Sequence, residues 1–146
     1  MPETRSTPEQ MHRSTPVERI YFAWEDALSR NDAAALLALY AEDAVLESPL
    51  VPHLCGTKSG VLRGHAERRL FEMLAARKPP VRTYHRSGYL TDGKRLIWEY
   101  PRDAGAGEQM DFVEVMELDD DGLIRRHCVY WGWFGVGVLQ RDEYPR

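Results

Sequence analysis

Apolar residues at Val17, Ile20, Trp24, Ala27 and Leu28 recur three and four apart. That spacing places them on one stripe of an amphipathic helix. Asn31-Asp32 breaks this helix. Asp32 suits the N-cap of the next, because its carboxylate accepts from the free N–H groups of a first turn. Leu36, Leu37, Leu39 and Tyr40 supply the apolar face of that second helix. Residues 44–48 read as a strand closed by Pro49, which cannot extend a ladder. A third helix spans 65–77, with Leu70, Phe71 and Leu74 at helical spacing and Lys78-Pro79-Pro80 as its stop. Four strand-like runs follow, over 81–91, 94–102, 109–118 and 123–134. Asp92-Gly93 marks one hairpin and Asp119-Asp120-Asp121-Gly122 another, with a glycine-containing loop at 104–108.

Composition narrows the class of protein. At 146 residues the chain fits one domain with a sizeable core. Its net charge of −4 comes from 19 basic and 23 acidic residues, with no block of five or more like charges. A phosphate-binding face needs a basic surface, so no nucleic-acid partner is expected. No apolar run approaches the ~20 residues that span a bilayer, so no membrane partner is expected either. Residues 1–16 are polar and proline-bearing, without the apolar centre of a signal peptide. They read as a flexible arm that orders only against a partner subunit. A domain over 17–136 and a tail over 137–146 complete the organisation. Val51 to Val61 reads as a linker. Cys55 and Cys128 are the only cysteines; no disulfide is expected, and a reduced cytoplasmic protein is the default.

Strand parity selects the candidate chemistry. Phe112, Glu114, Met116 and Leu118 share one face of their strand. Three of the four are apolar, so that face should be buried, and Glu114 is then a carboxylate among apolar neighbours. Desolvation there favours the protonated form, which suits a general acid, or a base working near neutral pH. The bland reading is an exposed or arginine-paired glutamate. In the last strand Arg125, His127, Val129, Trp131 and Trp133 share one face, and Ile124, Arg126, Cys128 and Tyr130 the other. His127 is either a proton-transfer group or a core histidine with both nitrogens satisfied. Trp131 and Trp133 read as core or pocket wall, and Gly132 allows a bulge that would swap the faces beyond it. His53, Cys55 and His65 are spaced too irregularly for a metal site, and none is expected. Arg68 and Arg69 read as a solvated helix face.

The run VERIYFAWEDALSRNDAAALLALYAEDAVLESP, with AEDAVLESPL and DDDGLI, resembles the nuclear transport factor 2-like superfamily. That superfamily includes SnoaL-like polyketide cyclases and ketosteroid isomerase. The resemblance implies an α+β fold, a curved and mainly antiparallel sheet wrapped around three N-terminal helices. Such a cystatin-like cone holds an internal pocket, with the 51–61 loop at its mouth. It also implies a homodimer, for which Val113, Val115, Ile124, Cys128 and Tyr130 would supply a convex apolar face. By the same resemblance, Glu114 falls where ketosteroid isomerase keeps a protonated acid, and His127 points into the cone. Trp24 falls where that enzyme has a tyrosine, and Ser48 where it has its catalytic aspartate. An indole N–H only donates and a serine cannot abstract a weakly acidic proton unaided, so steroid isomerisation by that mechanism does not follow. Relatives similar to scytalone dehydratase use histidines and tyrosines, for which Tyr84 and His85 are candidates. Those similar to limonene-epoxide hydrolase use an acid–arginine–acid set, to which Glu114 and Arg125 could belong, but no third acid is evident.

Two classes of function follow. In one, Glu114 and His127 move protons in an isomerase, dehydratase, cyclase or hydrolase that needs no cofactor. Trp24, Ser48, Trp98, Tyr100, Met116 and Trp131 then contact a small, mostly apolar substrate. In the other, the same pocket holds a ligand unchanged, or the chain is a dimeric structural module. An approach of Glu114 to His127 across an open cavity would favour the enzyme.

Overall fold

The computed structural model describes residues 14–64, 67–76, 86, 88–103 and 109–132. Helix α1 spans Pro16–Ser29. Thr15 caps it, its side chain accepting from the N–H of Glu18 at 3.1 Å, and Pro16 occupies the first turn, where no N–H is needed. Val17, Ile20, Tyr21, Trp24, Ala27 and Leu28 form its buried stripe. Asn31 takes a left-handed φ of 53°, and Asp32 accepts from Ala35 N at 2.9 Å to start α2, Ala33–Leu37. The helix boundary at Asn31-Asp32 is therefore as expected, while α1 takes in Pro16 from the expected arm and uses Thr15 as its cap.

The expectation for the next segment needs correction. Tyr40 is not on a helix; it opens strand β1, Tyr40–Glu47. Helix α2 is short, and Leu37 is half-buried rather than core. The segment read as a linker is also ordered. Leu50–Cys55 is a helix, α3, and Val61–Arg63 a strand, β2, so that among the described residues four helices precede the meander, one of them in the segment expected to be a linker. Ser48 starts α3 by accepting from Leu50 N at 3.2 Å, Val51 and Leu54 bury its inner side, and Gly56 ends it in the left-handed region at φ 68°. Helix α4 covers Glu67–Ala76, with Leu70 and Phe71 buried and Arg68 and Arg69 exposed.

Strands β3 (Leu90–Thr91), β4 (Arg95–Asp103), β5 (Gln109–Leu118) and β6 (Ile124–Trp131) complete one six-stranded sheet, ordered β2-β1-β6-β5-β4-β3. Its pairings are antiparallel except β1 against β6. This is the α+β class expected. Along β5, Phe112, Glu114, Met116 and Leu118 are buried and Asp111, Val113, Val115 and Glu117 are half-buried, as parity predicts. In β6 the register shifts between Glu117 and Leu118, so that Glu117 faces Arg126 and Leu118 faces Ile124. Arg125 is the extra residue. The bulge turns Ile124 into the core at 0% exposure and Arg125 out to pair with Glu117 at 3.0 Å. Both residues thus lie on the opposite face from that expected, because the bulge falls at Arg125 rather than Gly132. At the β5–β6 turn Gly122 has φ 75°, and a Cβ there would meet the Arg19 guanidinium at 2.8 Å and Pro16 at 3.2 Å. Arg19 also donates to the Gly122 carbonyl at 3.1 Å, tying the turn to the start of α1.

Candidate active site

Glu114 sits mid-strand in β5, opposite Trp98 of β4 and Val129 of β6. Diagonal neighbours on the same face come within reach of long side chains. On one diagonal, Tyr100 donates its hydroxyl to Glu114 Oε1 at 2.7 Å. On the other, His127 Nε2 lies 2.6 Å from Glu114 Oε2. Tyr100 is held flat against Phe112, with centroids 5.2 Å apart and planes 8° from parallel. Glu114 and His127 are 2% and 3% exposed, so both are desolvated and their remedy is mutual hydrogen bonding.

The chain of contacts continues past His127. Its Nδ1 lies 2.7 Å from the Tyr40 hydroxyl, which accepts from Trp24 Nε1 at 3.3 Å. Trp24 also meets the His127 ring edge-on, with centroids 5.9 Å apart. Five buried side chains from α1, β1, β4, β5 and β6 thus form one polar line through an aromatic core. Tyr40 reaches His127 because β1 carries an irregularity between Tyr40 and Val45, which brings Tyr40 opposite Ile124.

A cavity of about 440 Å³ opens beside this line. Trp24, Ser48, Tyr100, Glu114, His127 and Trp131 border it, together with apolar side chains of α1, α3 and α4 such as Leu28, Leu54, Leu70 and Phe71. Its size falls in the range of small-molecule sites, and a mostly apolar wall with a few converging polar groups is their usual composition. Trp98 and Met116 are buried but do not border it; Trp98 packs against Trp24, with ring centroids 5.5 Å apart. Val129, opposite Glu114, does border it. Arg125 points away and does not join Glu114. His53 is exposed and Cys55 half-buried. His65, Tyr84, His85 and Trp133 lie outside the described residues. Among the described residues no cluster of three metal-ligating side chains occurs, and the cysteines are free thiols.

Arg86 lies to the side of this line. Its guanidinium stacks 3.8 Å over the Tyr21 ring, donates to the Tyr21 carbonyl at 3.0 Å and pairs with Glu25. Burial pulls its pKa below the usual arginine value, while Tyr21, Tyr100 and Glu114 act in the opposite direction. Tyr40, Arg86 and the α3 leucines were not singled out as site residues from the sequence. For Tyr40 the signal was hidden, because the strand irregularity removes the alternation that reveals an inward residue.

The fold and cavity define a cone-shaped α+β domain with a buried carboxylate–imidazole pair. The chain belongs to the SnoaL-like domain family, whose pattern matches residues 21–127. It is similar to a SnoaL-like protein of unknown function from Burkholderia thailandensis, at 21% identity over 80% of this chain and 94% of that one, with a TM-score of 0.65. A steroid delta-isomerase from Pseudomonas aeruginosa is similar at 19% identity, covering 88% and 89%, with a TM-score of 0.63. SalBIII, an epoxide hydrolase/cyclase-like enzyme of pyran ring formation in salinomycin, is similar at 19% identity, covering 86% and 94%, with a TM-score of 0.59. At these identities the likeness is one of fold. No curated protein sequence matches the chain. No helix among the described residues is long and apolar enough to cross a membrane.

Proposed function

We propose that this chain is a cofactor-independent proton-transfer enzyme acting on a small, mostly apolar molecule held in the cone. Glu114 and His127 are its acid–base pair, and the reaction is an isomerisation, dehydration, cyclisation or hydrolysis. The observation that carries this reading is the 2.6 Å contact between two almost fully buried titratable groups that both border the cavity. Burying such a pair is costly, and a core filled for stability alone is better served by apolar side chains. Trp24, Tyr100 and Trp131 serve as walls that orient a flat or branched apolar substrate. Ser48, just ahead of α3, adds a hydroxyl to the cavity wall. The steroid isomerase and cyclase-like neighbours fit this reaction class.

Glu114→Gln is the test. The variant keeps the shape of the side chain and a carbonyl acceptor but loses the exchangeable charge. Ligand binding, followed by tryptophan fluorescence, should persist, and turnover should fall about 10²–10⁴-fold. Turnover equal to that of the wild type would reject the catalytic role of Glu114 and leave the cavity as a binding site.

We also propose a homodimer through the outer face of the sheet. Ile124 and Cys128 are buried within the subunit and drop out of the expected patch. Val113, Val115 and Ile97 remain half-buried there, and Tyr130, opposite Val113, is 56% exposed.

A further inference from the structure

Which nitrogen of His127 carries its proton decides whether Glu114 can accept one. Trp24 Nε1–H can only donate, and it lies 3.3 Å from the Tyr40 oxygen. A phenolic hydroxyl that accepts one hydrogen bond is suited to donate its own. The atom 2.7 Å away on its other side is His127 Nδ1. With Nδ1 as acceptor, the imidazole proton sits on Nε2 and is donated to Glu114 Oε2 at 2.6 Å. Tyr100 O–H donates to Oε1. Every donor along the line then points toward Glu114, which accepts at both oxygens, the arrangement of a carboxylate. In the opposite tautomer the Tyr40 oxygen would accept from both Trp24 N–H and Nδ1–H, its own O–H would turn away from His127, and Glu114 would have to carry the proton shared with Nε2.

We propose that Tyr40 is a positioning residue. It holds His127 as the neutral Nε2–H tautomer and so keeps Glu114 ionised, ready to act as the base. Tyr40 does not border the cavity and acts only through His127. The inference rests on the acid–base reading given above and fixes its direction. The first proton moves from a substrate carbon to a carboxylate oxygen of Glu114, and the electron pair of the broken C–H bond stays on the substrate.

Proton–nitrogen correlation spectra of isotope-labelled protein, at neutral pH and without ligand, read the tautomer directly. His127 is assigned by the signal missing from His127→Gln. In the wild type, Nε2 should be protonated and Nδ1 not; a protonated Nδ1 overturns the proposal. Tyr40→Phe removes the donor to Nδ1 and should shift the tautomer ratio about fivefold toward Nδ1–H, the equivalent of about 1 kcal/mol for one hydrogen bond. An unchanged ratio in folded Tyr40→Phe also overturns it. If that variant does not fold, the wild-type spectrum decides alone. Because no substrate enters the measurement, a failure here is distinct from a failure of Glu114→Gln to lose turnover.

Discussion

Glu114→Ala would take a shared acceptor from the Tyr100 hydroxyl and from His127 Nε2, both buried. A buried polar group deprived of its partner costs about 1–3 kcal/mol. Chemical denaturation should therefore show Glu114→Ala less stable than Glu114→Gln, which retains an acceptor and the side-chain volume. Equal stability of the two would mean that water enters the site freely. The thiols give a second check at this scale. Burial raises the pKa of Cys128, with Glu47 acting in the same direction and Arg126 against it. Less thiolate is then present at a given pH, so alkylation should label the half-buried Cys55 first. Labelling of Cys128 first would contradict its packing. The burial of Glu114 was legible in the sequence because β5 alternates cleanly, whereas the bulge at Arg125 breaks the alternation of β6 and His127 was placed inward only through the family resemblance. Tyr40 was not legible, since an irregular strand carries no period to read. Trp98, expected as a pocket wall, is buried but does not border the cavity, because parity along a strand says nothing of depth.

Among the elements, the caps make the sharpest predictions. Thr15 and Glu18 form the start signal of α1, and Thr15→Ala should cost about 1 kcal/mol in a denaturation experiment. Gly122→Ala should cost more, because its φ of 75° disfavours a side chain and the new Cβ would meet Arg19 and Pro16. No loss in that variant would show that the turn can move off α1. The β3–β4 turn should respond to acid. Backbone N–H groups of Arg95 and Lys94, with the Arg95 side chain, hold the Asp92 pKa well below the usual carboxylate range. The turn's stabilisation is therefore present above that ordinary range and is lost as pH falls through the depressed value. Amide exchange at Lys94 and Arg95 should quicken there, and should already be quick in Asp92→Ala at neutral pH. Helix α1 and the two hairpin turns were legible because each carries a local signal: a period, a cap or an Asp-Gly pair. Helix α3 was not. Its six residues contain a proline and a histidine, and only Val51 and Leu54 packing inward make it helical. The bulge at Arg125 is a matter of pairing between strands, and no single strand announces it.

At the scale of the molecule, two surfaces of the sheet divide the labour. The inner face builds the cavity and its polar line, and the outer face carries Val113, Val115, Ile97 and Tyr130 farther along the strands from the Glu117 ion pairs with Arg125 and Arg126. Sedimentation at micromolar concentration should give a dimer mass, and Val113→Asp together with Tyr130→Asp should give a folded monomer. A wild-type monomer would remove the dimer. On the inner face, the proposed role of the desolvated Glu114–His127 pair is to move protons on an apolar molecule within the cone. It is tested most directly by hydrogen–deuterium exchange at the α-carbon of small cyclic ketones in heavy water, followed by mass spectrometry. The wild type should accelerate exchange above the buffer rate for ketones that fit the cavity, and Glu114→Gln should lose about 10²–10⁴-fold of that acceleration. Exchange as fast in Glu114→Gln as in the wild type, or no acceleration by the wild type for any ketone that binds, would contradict the account.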